Sequence, residues 1–240
     1  MSIATAFDRI HHYLESSGAG SARLLKPGYV ERRLRIRYRA VGVTGPEDYA
    51  EYLDRDPEER ARLASTVTLG VTSFFRDPTL WHWLAGASAV SPPGRWRGWS
   101  AGTATGEEAW SLASVIAAVA DQRGLDDWRV LGTDIDEAHL EAARRGQYPG
   151  RPVPAYADHV LFERDDLTET RSRGPFEVVL CRNVMIYFGP EGQRRILESV
   201  ASALAPGGLL VLGKAEFLPS DGKYDLVLVD RAERAYRRSA

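Results

Sequence analysis

The sequence predicts an α/β protein, in which helices cover a mostly parallel sheet and a small all-helical region comes first. The chain has 240 residues, enough for one large domain with a small partner. Its 44% hydrophobic and 27% charged residues are typical of a globular protein with a packed core. From residue 96 onward, apolar strand-like runs alternate with helical patterns, and such alternation indicates a parallel sheet with helices on both faces.

The first region, which covers 1–84 with its linker, is predicted to be helical. Apolar residues recur at helical spacing, and glycine- or proline-containing breaks separate the segments. Proline opens several of them, at a position where its missing N–H is no loss. The predicted helices are 3–14, 29–41, 46–53 and 57–66.

The second region, 85–240, is predicted to form the sheet, and the Ser-Pro-Pro-Gly segment at 91–94 is the natural break before it. The predicted strands are 96–101, 128–133, 176–181, 208–212 and a final pair at 224–230 and 233–237. The predicted helices are 107–122, 137–144 and 191–204.

Charge and cysteine content narrow the class of protein. A net charge of -2 gives no overall attraction to nucleic acid or to an anionic membrane. Cys181 is the single cysteine, so no internal disulfide can form, and no signal-peptide pattern opens the chain. No apolar run approaches the ~18 residues that span a bilayer. We therefore expect a soluble cytoplasmic protein that neither inserts into a membrane nor binds nucleic acid.

A glycine-containing turn joins the first strand to its helix in the stretch WSAGTATGEEAW at 99–110. Gly102 and Gly106 would let a ligand approach the backbone at the carboxyl edge of the sheet, although glycines can also serve chain reversal alone. Glu107 and Glu108 open the helix, where carboxylates suit the dipole but would repel a pyrophosphate. A cofactor with a cationic group therefore fits better than a dinucleotide, and S-adenosylmethionine carries an ammonium and a sulfonium.

Two acids follow the second strand, in the Gly-Thr-Asp-Ile-Asp sequence at 132–136. Asp134 stands at the strand end, where an acid typically accepts hydrogen bonds from ribose hydroxyls. Asp136 is predicted to cap the next helix, with Glu137 in its first turn. Asp134 therefore strengthens the prediction of a nucleoside cofactor.

Five segments together resemble the CheR-type chemoreceptor methyltransferases. They are TSFFRDP at 72–78, WSAGTATGEEAW at 99–110, GTDIDEAHLEAARRGQYP at 132–149, CRNVMIYF at 181–188 and APGGLLVLGKAEFL at 205–218. The segments occur in the family's order and span nearly the whole chain. The resemblance implies a small N-terminal helical domain joined to a Rossmann-like domain, with S-adenosylmethionine as donor and a protein glutamate side chain as acceptor.

The resemblance also implies site residues. Arg76, Asp134 and Tyr187 match family residues near the transferred methyl group and are the predicted catalytic residues. Arg76 and Tyr187 suit the orientation of a carboxylate, because a guanidinium and a phenol can both donate to it. For Tyr187 the alternative is an aromatic side chain that only packs. The predicted cofactor contacts are Thr72, Arg76, Glu107, Asp134, Asp166, Leu167, Asn183 and Val184.

The chemistry needs no catalytic base, because a glutamate with a pKa near ~4.3 is already ionised at neutral pH. Alignment of the carboxylate oxygen, the methyl carbon and the sulfur is then the main contribution. Phe74 and Phe75 are predicted to form wall and core, and Cys181 to be a small buried hydrophobe. The histidines show no metal-ligand spacing, so no metal is expected.

Basic residues crowd the segment 26–39, and such a face often simply stays solvated. Nucleic-acid binding is a competing use of the charge, but the segment offers no aromatic platform. In the family, the corresponding helix binds an acidic stretch of the receptor's methylation helix, and Lys26 and Arg33 align with its substrate-facing residues. The expected partner is therefore an acidic helical segment of a receptor or signalling protein, while the oligomeric state stays open. The basic residues are Lys26, Arg32, Arg33, Arg35, Arg37 and Arg39.

The sequence departs from the family at several points. Many members insert a small β-subdomain that docks a peptide tail of the receptor, but 147–159 is here a short proline-bearing link, so tail tethering is not expected. Gly70 stands where the family has asparagine, and Asp166 where asparagine is common. The pairs Thr103-Ala104 and Lys214-Ala215 replace cysteine-serine and histidine-serine.

Three functions are compatible with these features. The first is S-adenosylmethionine-dependent methylation of glutamate side chains in a chemoreceptor or related signalling protein. The second is a degenerate module that binds the cofactor and signals with little turnover, and the third is methylation of a small carboxylate. The basic helix favours a protein acceptor over a small one. Catalysis is favoured over the binding module by Arg76, Asp134, Asn183 and Tyr187.

Overall fold

The computed structural model describes residues 3–68, 70–89, 95–150, 156–169, 172–219 and 222–239. The chain forms two compact units: the first is Met1–Leu69 with Tyr187–Gly192, and the second is Gly70–Ile186 with Gln193–Ala240. Residues 70–84, which the sequence analysis grouped with the first region, belong to the second unit. The predicted break at 91–94 lies outside the described residues.

The first unit is helical, as predicted. Its helices are α1 (Ile3–Ser16), α2 (Pro27–Val41), α3 (Pro46–Arg55) and α4 (Pro57–Val67). Proline stands in the first turn of α2, α3 and α4, where its fixed φ suits the helix. The Asp56 side chain accepts a hydrogen bond from the Glu59 N–H and so caps α4. Fully buried side chains form the core of this unit, among them Ile10, Leu14, Leu34, Tyr49, Leu53 and Leu63.

The segment 187–192 returns the chain to the first unit. Phe188 forms a bridge with Leu25, and the Gly189 N–H donates to the Leu24 carbonyl at 2.8 Å. The Lys26 N–H donates to the Tyr187 carbonyl at 2.9 Å. The approach to α2 is therefore held by a segment more than 160 residues further along the chain.

The second unit, where described, is built on one sheet of seven strands in the order β3-β2-β1-β4-β5-β7-β6. The first five strands of that order are parallel, and β7 runs antiparallel to β5 and β6. The strands are β1 (Trp96–Ala101), β2 (Trp128–Asp134), β3 (Val160–Arg164), β4 (Phe176–Cys181), β5 (Leu204–Leu212), β6 (Leu226–Asp230) and β7 (Ala235–Arg238). The strand order reverses between β1 and β4, and in such sheets ligands bind at the carboxyl ends beside the reversal. The predicted Rossmann-like α/β class is confirmed.

In the described part of the chain, the helices that accompany the sheet are α5 (Pro78–Ala89), α6 (Glu107–Arg123), α7 (Glu137–Arg145) and α8 (Pro190–Ser202). Leu84, Trp96, Leu112, Ile116 and Val178 belong to the main core, and each is at most 2% exposed. Cys181 is buried as predicted, and burial raises the pKa of its thiol.

Two elements, β3 and α5, were not predicted. Strand β3 has the sequence Val-Leu-Phe-Glu-Arg and lies at an edge of the sheet with Leu161 exposed, so it lacks the apolar run of a central strand. Helix α5 is apolar along most of its length, so the spacing shows little helical period. The link 147–159 is described only at 147–150 and 156–159, and its middle lies outside the described residues.

Candidate functional site

The carboxyl ends of β1, β2 and β4 lie at the same edge of the sheet, because these strands run parallel. Asp134 ends β2, while Asn183 and Val184 follow β4 within three residues. The turn after β1 leads to Glu107, the first residue of α6. Four of the predicted cofactor contacts therefore come from the ends of neighbouring strands.

The glycine turn depends on glycine for steric reasons. Gly102 and Gly106 have φ values of 77° and 96°, in the left-handed region. A Cβ at Gly102 would lie 2.5 Å from Cγ2 of Val184, and one at Gly106 would lie 2.7 Å from Cβ of Ala143. The turn therefore packs closely against α7 and against the loop that follows β4.

The Asp134 carboxylate joins the glycine turn to the end of β2. Its Oδ2 accepts from the Ala104 N–H at 2.8 Å, and its Oδ1 accepts from the Asp136 N–H at 3.0 Å. The side chain is 11% exposed. A carboxylate has about four acceptor positions, so this group can still accept from a ribose hydroxyl. The arrangement fits a bound nucleoside. Asp136 caps α7 by accepting from the Ala138 N–H, as predicted.

His139 is a site residue that the sequence analysis missed. Its Nδ1 lies 3.4 Å from Oδ1 of Asp134, and a Cβ at Gly70 would overlap the imidazole ring. The hydrogen bond to Asp134 raises the pKa of His139, with further contributions from Asp136 and Glu107. The imidazole thus occupies the space where a side chain of residue 70 would lie. A residue without a side chain, such as glycine, fits there without moving His139.

The segment that carries Arg76 is fixed through its backbone. The Phe75 N–H donates to Oγ of Ser111 at 2.9 Å, and the Arg76 carbonyl accepts from Trp81 Nε1 at 2.9 Å. Phe75 and Asp77 have φ values of 51° and 58°, which are uncommon for residues with side chains. The Arg76 side chain is exposed and reaches the Val71 carbonyl at 3.4 Å. The backbone is anchored, while the guanidinium stays accessible.

Phe74 and Phe75 pack as predicted. Phe74 meets Tyr148 edge to face with ring centroids 4.8 Å apart, and Phe75 meets Trp81 at 5.8 Å. Both phenylalanines pack against the main core. Thr72 is half-buried.

Asp166 and Leu167 lie in the loop that follows β3. Oδ1 of Asp166 accepts from the N–H and the hydroxyl of Thr168, at 2.9 and 2.6 Å. The Asp165 N–H donates to the Asp134 carbonyl at 2.9 Å, and Leu167 is buried. This loop is therefore attached to the end of β2, beside Asp134.

A buried ion-pair network lies behind the Arg76 segment. The Arg182 side chain, 2% exposed, pairs with Glu108 at 3.0 Å and with Asp77. Its Nη2 also donates to the Arg76 carbonyl at 3.3 Å. Glu108 accepts from the Ser100 hydroxyl at 2.9 Å, and burial raises the pKa of its carboxyl. Of the two glutamates that open α6, Glu108 therefore serves this network, while Glu107 accepts from the Thr105 hydroxyl.

Glu216, which sequence reasoning also missed, organises the loop after β4. The residue is 4% exposed, and its carboxylate accepts hydrogen bonds from four backbone N–H groups. The donors are Asn183, Val184, Ile186 and Gly213, at 2.8, 2.9, 3.3 and 2.7 Å. The sequence did offer one indication of its role: Glu216 follows the end of β5 by four residues, at the edge of the sheet where the other strand ends carry site residues.

The remaining predicted residues belong to the first unit. Tyr187 packs on Tyr29 with ring centroids 4.8 Å apart. Lys26 is exposed, whereas Arg33 is half-buried with its guanidinium 5.2 Å from the centroid of the Tyr29 ring. Arg33 is therefore less accessible to an acceptor than Lys26.

Arg37 does not belong to a solvated basic face. Its Nε and Nη2 donate to the fully buried Glu59 carboxylate at 2.8 and 2.6 Å. The Tyr49 hydroxyl donates to the same carboxylate, and burial raises the pKa of Tyr49. The exposed arginines of α2 are Arg32, Arg35 and Arg39.

No helix in the described part of the chain is long and apolar enough to cross a membrane. Within the same residues, no cluster of three or more His, Cys, Asp or Glu side chains is arranged to hold a metal ion.

The Rossmann-like fold and the acid at the end of β2 suit a nucleoside cofactor, and comparison with known proteins places the chain among the S-adenosylmethionine-dependent methyltransferases. The family described as CheR methyltransferase, SAM binding domain, matches residues 70–157 and 153–232, and its all-alpha domain matches residues 6–68. The chain belongs to the CheR methyltransferase family. S-adenosylmethionine is its methyl donor.

Curated relatives agree with this assignment. The chain is 32% identical to a chemotaxis protein methyltransferase of Salmonella typhimurium, over 80% of this chain and 76% of that protein. It is 28% identical to a chemotaxis protein methyltransferase of Listeria monocytogenes, over 76% of this chain and 79% of that protein. An uncharacterized 104.1 kDa protein of Rhodobacter capsulatus is 32% identical over 90% of this chain, which spans 26% of that larger protein.

Proposed function

We propose that this methyltransferase acts on glutamate side chains of a chemoreceptor or related signalling protein in the cytoplasm. The structural observation behind the proposal is Asp134, which concerns the donor: it is held by the glycine turn and by the N–H of Asp136, with acceptor capacity left for a ribose. It supports a working donor site. The acceptor is inferred from relatives that are named chemotaxis protein methyltransferases.

The chain's own residues would bind and orient the reactants. When bound, S-adenosylmethionine supplies a methyl group on a positively charged sulfur. Asp134 would accept hydrogen bonds from the ribose, and the remaining donor contacts would be Thr72, Arg76, Glu107, Asp166, Leu167, Asn183 and Val184. A glutamate acceptor is ionised at neutral pH, since its pKa is ~4.3. No residue of the chain is therefore needed to remove a proton.

Arg76 and Tyr187 would orient the acceptor carboxylate. The Arg76 guanidinium is exposed on an anchored backbone, so it can donate to an incoming carboxylate with little loss of order. The Tyr187 phenol would donate a second hydrogen bond. Its ring is held by Tyr29, which fixes the direction of the side chain.

The identity of the acceptor atom can be tested with methyl-labelled donor and a bacterial lysate that contains chemoreceptors. A glutamate methyl ester is expected, so mild base should release the protein-bound label as methanol. Base-stable label would contradict glutamate methylation. Binding of S-adenosylhomocysteine without any labelling of proteins or small carboxylates would favour the binding module instead.

Arg76→Ala is expected to lower methyl transfer by about tenfold or more, because the acceptor loses its orienting cation. Circular dichroism should stay unchanged, since the exposed side chain makes one long contact to the Val71 carbonyl. Arg231→Ala, at an exposed arginine in the turn between β6 and β7, is the matched control. Equal turnover by the two variants would remove Arg76 from the catalytic residues.

Substrate recognition through α2 is expected to depend on salt. The Debye length falls from about 10 Å at 0.1 M to about 3 Å at 1 M, so methylation of a protein acceptor should slow as salt is added. Lys26→Glu and Arg33→Glu should each raise the KM for the acceptor and leave donor affinity unchanged. Arg55→Glu, at an exposed residue that ends α3, makes the same charge change elsewhere in this unit. A similar rise in KM for all three variants would show a general charge effect and no specific surface.

A further inference from the structure

The Glu216 carboxylate is buried and is not used in the mechanism above. Its Oε1 accepts from the N–H groups of Val184 and Ile186, and its Oε2 from those of Asn183 and Gly213. Since a carboxylate offers about four acceptor positions, this group is saturated by backbone donors. Glu216 therefore acts on the loop that surrounds it and has no capacity left for a ligand.

The loop held by Glu216 includes two of the predicted donor contacts. Asn183 has a φ of 59°, a conformation uncommon for a residue with a side chain, so it needs support from its surroundings. That support includes the bond from its N–H to Glu216. A Cβ at Gly102 would lie only 2.5 Å from Cγ2 of Val184, so the Val184 side chain packs directly against the glycine turn.

We propose that Glu216 is a positioning residue for the methyl donor, acting through the backbone of 183–186. Its carboxylate accepts hydrogen bonds from the N–H groups of that loop and thereby fixes Asn183 and Val184 beside the glycine turn. The inference rests on the proposed function, because it takes Asn183 and Val184 as donor contacts. Donor affinity is then controlled by a residue that does not touch the donor.

The carboxylate cannot be replaced by an amide of the same shape. Glu216→Gln keeps one acceptor oxygen but turns an NH₂ group toward two backbone N–H donors, so these three donors face one another. The loop should lose its defined conformation at Asn183 or at Val184, depending on the orientation of the amide. The buried core around the strands should keep its packing, because the volume of the side chain is unchanged.

Calorimetry with S-adenosylhomocysteine, together with methylation kinetics, tests the inference. Glu216→Gln is expected to weaken binding of S-adenosylhomocysteine by about tenfold or more, since charge-assisted hydrogen bonds are the strong ones. The KM for the donor should rise, while the KM for the acceptor stays the same. A purely structural role would not produce this split between the two KM values.

Glu177→Gln is the matched control. The Glu177 carboxylate also accepts from a backbone N–H, that of Arg97, but lies near the amino ends of β1 and β4. This variant is expected to keep the affinity for S-adenosylhomocysteine even if its melting temperature falls. Glu216→Gln with unchanged affinity and unchanged donor KM would overturn the inference.

Two further outcomes are separable. If Glu216→Gln does not fold, Glu216→Asp is the variant to measure, because it keeps the carboxylate on a side chain that is shorter by one methylene. A rise in the donor KM with an unchanged acceptor KM would support the inference. Wild-type kinetics would overturn it. Failure of the unmodified chain to bind S-adenosylhomocysteine would contradict the proposed function itself. That result comes from the wild-type protein alone, so it is distinct from any result obtained with the Glu216 variants.

Discussion

Replacement of Arg182 with methionine is expected to lower the free energy of unfolding by roughly 3–5 kcal/mol, the loss typical when one partner of a buried ion pair is removed. Arg182 is 2% exposed and pairs with both Glu108 and Asp77. Methionine would fill part of the space but would leave the Glu108 carboxylate buried without its cation. Denaturant unfolding of the two proteins measures the difference.

The loss should depend on pH. Burial raises the pKa of Glu108, and Arg182 opposes that rise. Without Arg182 the folded state holds a proton at pH values where the unfolded state, with a carboxyl pKa near ~4.3, does not. Stability of the variant therefore falls as pH rises through this window, and the difference from wild type should be larger at pH 8 than at pH 5.

Adding Glu108→Gln to Arg182→Met gives a second check. The double variant carries no unpaired charge at residue 108, so it should recover part of the lost stability. Equal stability of the single variant and wild type at pH 8 would show that the buried network contributes little.

Asp134→Ala is expected to weaken binding of S-adenosylhomocysteine by roughly 1.5–3 kcal/mol, the range for hydrogen bonds to a charged group. The variant loses the proposed ribose acceptor and also releases the N–H groups of Ala104 and Asp136. Calorimetry at neutral pH measures the change.

Asp136→Ala is the control for this prediction. It removes an acid two residues away and the cap of α7, which should lower stability by about 1 kcal/mol without affecting the donor. Unchanged affinity of Asp134→Ala, or an equal loss in both variants, would contradict the assignment of Asp134 to the ribose.

Local patterns in the sequence were sufficient for much of the fold. β1 and β4 have their predicted bounds, because their apolar runs are buried in the centre of the sheet. The cap at Asp136 is confirmed, since a capping bond joins residues only two apart.

The site residues that were missed depend on contacts between distant parts of the chain. Three of the four N–H groups that Glu216 binds lie about thirty residues earlier in the chain. Arg182 pairs with Glu108 and Asp77, which lie more than seventy residues before it. The residues adjacent to Glu216 and to Arg182 in the sequence give no indication of these distant partners. Arg37 was counted among the basic residues of 26–39, but it pairs with Glu59, which lies on another helix.

The return of the chain at 187–192 limits how this protein can be trimmed. A fragment that stops at residue 69 would lack Phe188, the bridge partner of Leu25, and a fragment that starts at residue 70 would carry that partner with nothing to bridge. The first piece lacks part of the first unit, whereas the second piece contains the whole second unit together with residues 187–192 of the first. A cut between 69 and 70 would therefore produce a split protein, whose two halves regain the first unit only by recombining.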